Sequence, residues 1–274
     1  MKQRIITKLP IDDKEFMTSK EARPLRILSE YLQPATEFRN YEVKNTIVFF
    51  GSARIRSPAE TKRILREAKN KPLTRLEKKQ HENLKKTARY YRECKQLAFR
   101  MTRWSKSLPK GYAKFLVTTG GGPGIMEAAN RGASLAKGLS IGLNIKLPHE
   151  QQPNQWITPH LSLDFNYFFM RKYWLMHPAR ALVIFPGGFG TMDELFELFT
   201  LRQTGKMDKP VPIVIYGTQY WKELLRFEVF TEWGMINEED LDMMHFSDDV
   251  EDAYQFLTES LSKLHSLPVV EENK

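Results

Sequence analysis

Five short runs of the chain are apolar on both faces and bounded by turn residues. They are Thr46-Ile47-Val48-Phe49-Phe50, Phe115-Leu116-Val117-Thr118, Ile141-Gly142-Leu143-Asn144-Ile145, Ala181-Leu182-Val183-Ile184-Phe185 and Val211-Pro212-Ile213-Val214-Ile215-Tyr216. Runs of this length and β-rich composition predict buried strands. Pro212 predicts either an edge position or the first residues of the last strand. Between the runs the pattern turns helical. After Gly124 the apolar positions are Ile125, Ala128, Ala129 and Ala136, and after Thr191 they are Met192, Leu195, Phe196 and Phe199. Spacing of i, i+3, i+4 and i+7 predicts an amphipathic helix. A further helix is expected from about Tyr220, and a last one opened by Asp248-Asp249-Val250. Strands apolar on both sides, alternating with helices, predict an α/β fold: a Rossmann-like, doubly wound parallel sheet with helices on both faces.

Residues 1–44 mix charges, prolines and a short apolar run (Leu25, Ile27, Leu28, Tyr31, Leu32) and read as an N-terminal helical arm. The main domain is expected over 45–265. It includes a charged, basic helical insertion at about 56–110, where Pro72 is the main breaker, and 266–274 form a tail. There is no internal repeat.

Ligands of such sheets bind beyond the carboxyl ends of the strands. Four of the five runs lead into glycine there, and two of those loops are glycine-rich. In Pro186-Gly187-Gly188-Phe189-Gly190-Thr191-Met192-Asp193-Glu194 the glycines let backbone N–H groups approach an anion. Thr191 is placed to cap the following helix, whose N-terminus favours phosphate, with Asp193 and Glu194 expected in its first turn. Thr118-Thr119-Gly120-Gly121-Gly122-Pro123-Gly124-Ile125 resembles a dinucleotide fingerprint but ends in Ile125 and follows the second strand. It therefore does not predict an NAD site, and no Gly-Lys-Ser/Thr completes a P-loop. Gly51-Ser52-Ala53-Arg54 offers a hydroxyl, an amide and a guanidinium. Arg171-Lys172 interrupts an aromatic stretch, and Arg171 is equally suited to snorkel to water or to turn inward onto an anion.

Composition narrows the function classes. The 274 residues are 41% hydrophobic and carry a formal net charge of +9. Residues 60–110 hold 17 Lys and Arg against 5 Asp and Glu, and the remainder 25 against 28. The basic excess is local, which reads first as a solvated helix face, and nucleic acid is not the expected partner. One cysteine, Cys94, excludes an intrachain disulfide and a cysteine-rich zinc site. No G-x-S-x-G elbow supports a serine nucleophile, and the scattered histidines lack ligand spacing. Neither a secretory leader nor a membrane span is seen, so a cytoplasmic location is expected.

Taken together, Gly120-Gly121-Gly122-Pro123-Gly124-Ile125-Met126-Glu127, Met170-Arg171-Lys172 and the 186–194 loop resemble the LOG (Lonely Guy) family. Its members are cytokinin riboside 5′-monophosphate phosphoribohydrolases formerly labelled lysine decarboxylases. The likeness runs from about residue 46 to about residue 264. It implies hydrolysis of nucleoside 5′-monophosphates, AMP-like or cytokinin ribosides, to free base and ribose 5-phosphate. It implies Arg171 and Glu194 as the catalytic pair, with Asp193 in the adjacent acidic position. Substrate contacts would fall on Gly51, Ser52, Gly121, Gly122, Glu150, Lys172, Gly187, Gly188, Gly190, Thr191 and Asp193. It also implies a homodimer with the pocket near the interface, and it calls for no cofactor and no metal ion. The chemistry agrees, since a carboxylate can stabilise the cation that builds on ribose as its glycosidic bond breaks. The alternative is a non-catalytic nucleotide sensor built on the same loops. Lysine decarboxylation lacks a lysine in a pyridoxal setting.

Overall fold

The structure is a computed structural model, and it describes residues 8–69, 72–147, 152–207 and 210–268. In chain order the elements are α1 (Lys14–Thr18), α2 (Arg23–Asn40), β1 (Asn45–Phe50), α3 (Pro58–Glu67), α4 (Arg75–Ser107), β2 (Phe115–Thr119), α5 (Ile125–Leu135), β3 (Ser140–Ile145) and β4 (Ser162–Phe165). There follow α6 (Phe168–Met176), β5 (Ala179–Ile184), α7 (Phe189–Gln203), β6 (Ile213–Tyr216), α8 (Thr218–Leu224), α9 (Glu228–Glu232), β7 (Met244–Ser247) and α10 (Val250–Leu264).

All strands are parallel, in the order β4-β3-β2-β1-β5-β6-β7. The doubly wound parallel sheet read from the sequence is therefore the fold. Its core has two halves, one on each face. Alternation along β1 shows why: Ile47 and Phe49 join a cluster with α4, α5 and α10, whereas Val48 and Phe50 join one with α2, α6, α7 and Trp221 of α8. Period-2 side chains of a central strand must serve both faces.

Two strands escaped the sequence reading. β4 and β7 are the two edges, four residues each, and they carry exposed or half-exposed positions in place of a continuous apolar run. Pro212 lies just before β6, which is an inner strand, so the edge alternative fails. Its missing N–H costs nothing there, while its carbonyl still accepts from the Leu182 amide.

The basic segment 56–110 forms α3 and α4. Helix α4 opens with a full capping box between Thr74 and Glu77. From Ala88 onward it is core, burying Tyr90, Tyr91, Cys94, Leu97, Ala98, Met101 and Trp104 against α5 and α10. This half connects β1 to β2, and its charges occupy the outward side. Cys94 is fully buried and burial pushes its thiol pKa up, which suits packing and not nucleophilic chemistry. In the arm, α2 buries Pro34 and Phe38, while Leu25, Leu28, Tyr31 and Leu32 remain exposed. Among the described residues no helix is long and apolar enough to cross a membrane.

Candidate functional site

The chain runs from β1 outward to β4, then returns beside β1 to continue through β5, β6 and β7. The order therefore reverses between β1 and β5, which opens a crevice beyond their carboxyl ends. A cleft of about 250 Å³ lies there. After β1 it is lined by Phe50, Gly51, Ser52, Ala53 and Arg54; after β2 by Gly120 and Met126; from α6 by Arg171 and Leu175; and from α7 by Gly188, Gly190, Thr191 and Glu194.

Arg171 turns inward. Its side chain is 13% exposed, and Nη2 donates to Glu194 Oε1 at 3.1 Å. The backbone reason is visible in α6, where Met170, Trp174 and Leu175 are buried, so that the face holding residues 171 and 175 is drawn to the cleft wall. Phe168 lies under the guanidinium, its ring centroid 5.2 Å from Arg171 Cζ. Glu194 is buried to 2% exposure on the inward stripe of α7, with Thr191, Leu195 and Leu198. Burial pushes its carboxyl up to about 7, and Arg171 and then Lys172 work against that shift. Glu194 Oε2 and Arg171 Nε are buried without a hydrogen-bond partner in the protein. Orphaned polar atoms of this kind carry a desolvation cost that a polar ligand would relieve.

The loop before α7 differs in two details from the sequence reading. The N-cap is Gly188, not Thr191; Thr191 lies inside the first turn, its amide donating to Gly188 O at 3.0 Å. Asp193 and Glu194 then fall in the second turn, and the first turn contains no acid. Gly188 brings no side chain to the first helical N–H groups, which have no acceptor within a helix. Nothing lies within 4 Å of where a Cβ would stand at Gly188 or Gly190, so packing does not demand glycine at either. A small residue there leaves room for a ligand against the helix N-terminus. Gly187 is different, since a Cβ would sit 2.0 Å from Thr191 Oγ1. Its carbonyl accepts from Tyr220 Oη.

Other expected contacts stand apart from the cleft wall. Gly121, at φ +74°, packs against the Asn144 side chain, and the Gly122 carbonyl accepts from Asn154 Nδ2 at 3.1 Å; Gly120 faces the cleft in their place. Lys172 and Asp193 pair with each other at 2.7 Å beside the cleft, and Lys172 also reaches Glu197 at 3.2 Å. These contacts clamp α6 to α7 and leave Glu194 as the acid that faces the cleft. Glu150 lies outside the described residues. Trp156 stacks on Arg131, and Phe189 is 95% exposed, so neither lines the cleft. Met126 and Leu175 were missed, since neither residue type signals a ligand. Among the described residues no group of three or more His, Cys, Asp or Glu is placed to hold a metal ion.

A family model described as "Possible lysine decarboxylase" matches residues 126–257, a span that takes in Arg171 and the 186–194 loop. Two curated plant proteins, one from Oryza sativa subsp. japonica and one from Arabidopsis thaliana, are each named "Probable cytokinin riboside 5'-monophosphate phosphoribohydrolase" and are 36% identical to the chain over 66 residues. That stretch is 24% of this chain and 30% and 33% of the plant proteins, so the match spans about a third of their length. Among solved structures, the molybdenum cofactor carrier protein of Chlamydomonas reinhardtii is 16% identical, with a TM-score of 0.48, and covers 80% of this chain and 99% of its own. The molybdenum cofactor binding protein of Rippkaea orientalis is 15% identical with a TM-score of 0.44, covering 78% and 94%. The family model and the plant relatives bear out the resemblance to the LOG family carried by the motifs.

Proposed function

On the premise of that LOG likeness, we propose that the chain hydrolyses the N-glycosidic bond of nucleoside 5′-monophosphates, giving free base and ribose 5-phosphate. The observation that carries this reading is the Arg171–Glu194 pair, a buried acid with its guanidinium at 3.1 Å, in the same cleft as a glycine loop at a helix N-terminus.

The 5′-phosphate is seated against the first amides of α7, with Gly188 and Gly190 giving the space and Thr191 a hydroxyl. Ser52 and Arg54, from the loop after β1, line the same cleft. Seated in this way, the sugar presents C1′ to Glu194. The C1′–N bond breaks with its electron pair leaving on the base, and positive charge spreads over the ribose ring. The Glu194 carboxylate stabilises that charge and takes a proton from water as the water oxygen bonds C1′. That proton is passed to the departing base. Arg171 favours the ionised form of Glu194 against its burial and offers Nε to a substrate oxygen.

The test is direct. The purified protein is incubated separately with AMP, GMP, CMP and UMP, and free base and reducing sugar are measured. Equal release of both from at least one nucleotide is expected. The matching nucleoside, without its phosphate anchor, should react at least about 100-fold more slowly. Tight binding without base release from any of the four, or from cytokinin riboside monophosphates, would leave a nucleotide sensor instead.

The same reading includes a homodimer with the cleft near its interface. Phe168 and Phe169 are exposed on α6, the helix that carries Arg171, and form the apolar surface a second copy would cover. Light scattering should give twice the chain mass of 32.1 kDa; a monomer at micromolar concentration would remove this part.

A further inference from the structure

The N-terminal arm touches the helix that carries Arg171 at specific polar points. Glu30, on α2, accepts from the Asn166 amide at 2.9 Å and from the Tyr167 amide at 3.1 Å. Tyr167 is the N-cap of α6 and has no side-chain cap of its own. Its carbonyl accepts the Arg171 amide at 3.2 Å, which is the bond that opens the helix. The Arg171 guanidinium then meets Glu194. An unbroken series of hydrogen bonds therefore leads from a carboxylate in the arm to the reacting pair.

Four further contacts hold the same register. Trp174 Nε1 donates to the Glu30 carbonyl at 3.2 Å. Tyr31 packs on Tyr173 and Trp174, each at 5.7 Å between centroids. Arg23 lies over the Tyr167 ring at 5.6 Å. Glu30 itself is 136 residues away from Asn166, so only the fold brings them together. A carboxylate beside the start of α6 is also favoured by the helix dipole.

We propose that Glu30 is a positioning residue for Arg171: by fixing the entry to α6 it sets where the guanidinium meets Glu194, and the arm is thereby part of the catalytic apparatus. This rests on the proposed hydrolase reading for its effect on rate, but not for its effect on geometry. Loosening α6 withdraws Arg171 from Glu194. The carboxyl is then left to its burial, with Lys172 as the other cation and Asp193 and Glu197 as the acids that face it. All of these sit on α6 or α7; Lys172 draws the Glu194 pKa down, and Glu197 and Asp193 push it up. The sign follows, since less cationic help raises the Glu194 pKa.

Two measurements on the full chain separate the possibilities. Carbon-13 NMR of the glutamate carboxyls, without substrate, follows the titration of Glu194, identified as the signal missing in Glu194→Gln. In Glu30→Ala it should move upward from its wild-type midpoint. Glu30→Gln, which keeps one neutral acceptor, should fall between the two. Steady-state base release should show kcat reduced about tenfold in Glu30→Ala with KM within about twofold, because the phosphate seat is untouched. A merely structural Glu30 would lower Tm and leave both the titration and kcat as in wild type; that result overturns the proposal. If Glu30→Ala does not fold, Glu30→Gln decides: a raised midpoint supports the role and an unchanged one refutes it. If wild type releases no base, the hydrolase reading fails, while the NMR titration still decides the positioning role on its own.

Discussion

Glu194→Gln is expected to lower base release by at least about 1,000-fold and, at the same time, to remove a pH-dependent loss of stability. The first effect follows from its place. It is the acid on the inward face of α7 that lines the cleft, and in the proposed reaction its carboxylate is the negative charge available to a cation forming on ribose. An amide of the same shape keeps the packing and loses the charge. The second effect follows from linkage. Burial raises the folded-state pKa of Glu194 from an ordinary value of 4.5 to about 7. Below the unfolded value the carboxyl is protonated in both states and folding bears no cost. Between the two values the folded state binds the proton that the unfolded state has lost, so stability falls as pH rises. Above about 7 the folded state carries a buried carboxylate, at a cost of about 3 kcal/mol. Urea unfolding of wild type and variant at pH 5 and pH 8 reads this term as the difference between their pH slopes. Titrating groups that do not face residue 194 contribute equally to both proteins and cancel. Turnover within about tenfold of wild type would remove Glu194 from the chemistry. Parallel stability curves would remove the raised pKa, and with it the reason for a buried acid at this position.

The opposed effects express a general physical conflict. A carboxylate that must face a transient cation works best where water is scarce, because low polarity strengthens the attraction. The same scarcity makes the resting carboxylate costly. Arg171 offsets part of that cost but leaves one carboxylate oxygen unpartnered, and that oxygen is free for substrate. A fully satisfied Glu194 would be more stable and less reactive.

What could be read from the chain alone divides along the same physical lines. Inner strands are buried on both faces, so their apolar runs stand out; β4 (Ser162–Phe165) and β7 (Met244–Ser247) are short edges with no such signature. The glycine loop after β5 was legible because its residue types have few other uses together. The acid beside it was less so. Asp193 and Glu194 are adjacent, about 100° apart on a helix, and only the rotation of α7 decides which one enters the cleft. The apolar positions Met192, Leu195, Phe196 and Phe199 suggested one inward face. The buried set is Thr191, Glu194, Leu195 and Leu198, turned by part of a residue step. Phe196 and Phe199 serve instead a neighbouring apolar packing with Phe227 and Phe230. An acid at i+3 from Thr191 and i−4 from Leu198 was the available sign. The orientation of Arg171 had no comparable sign, because an arginine within an aromatic stretch satisfies itself equally well in water or on an anion. Contacts such as Glu30 with Tyr167 depend on the chain's return across the sheet, and no local pattern encodes them.

Arg171→Ala carries the second large effect, and its pH dependence separates two roles that a single rate would merge. The guanidinium is the strongest influence holding the Glu194 pKa down; without it the carboxyl is expected to titrate above its wild-type value of about 7. In wild type, kcat/KM should rise with pH through about 7 and level off, since that ratio reports the free enzyme and the carboxylate is the active form. In the variant the rising limb should move to higher pH. At pH 7 the loss should reach about 100-fold, combining a protonated Glu194 with a missing donor. Raising the pH to 9 should recover the first part and leave about tenfold, the share owed to direct contact with a substrate oxygen. Lys172 remains to favour the carboxylate, so the limb should not leave the measurable range. Complete recovery at high pH would confine Arg171 to electrostatics. A loss unchanged from pH 6 to pH 9 would show that Glu194 and Arg171 do not share a titration, and the coupling inferred from their 3.1 Å contact would fall.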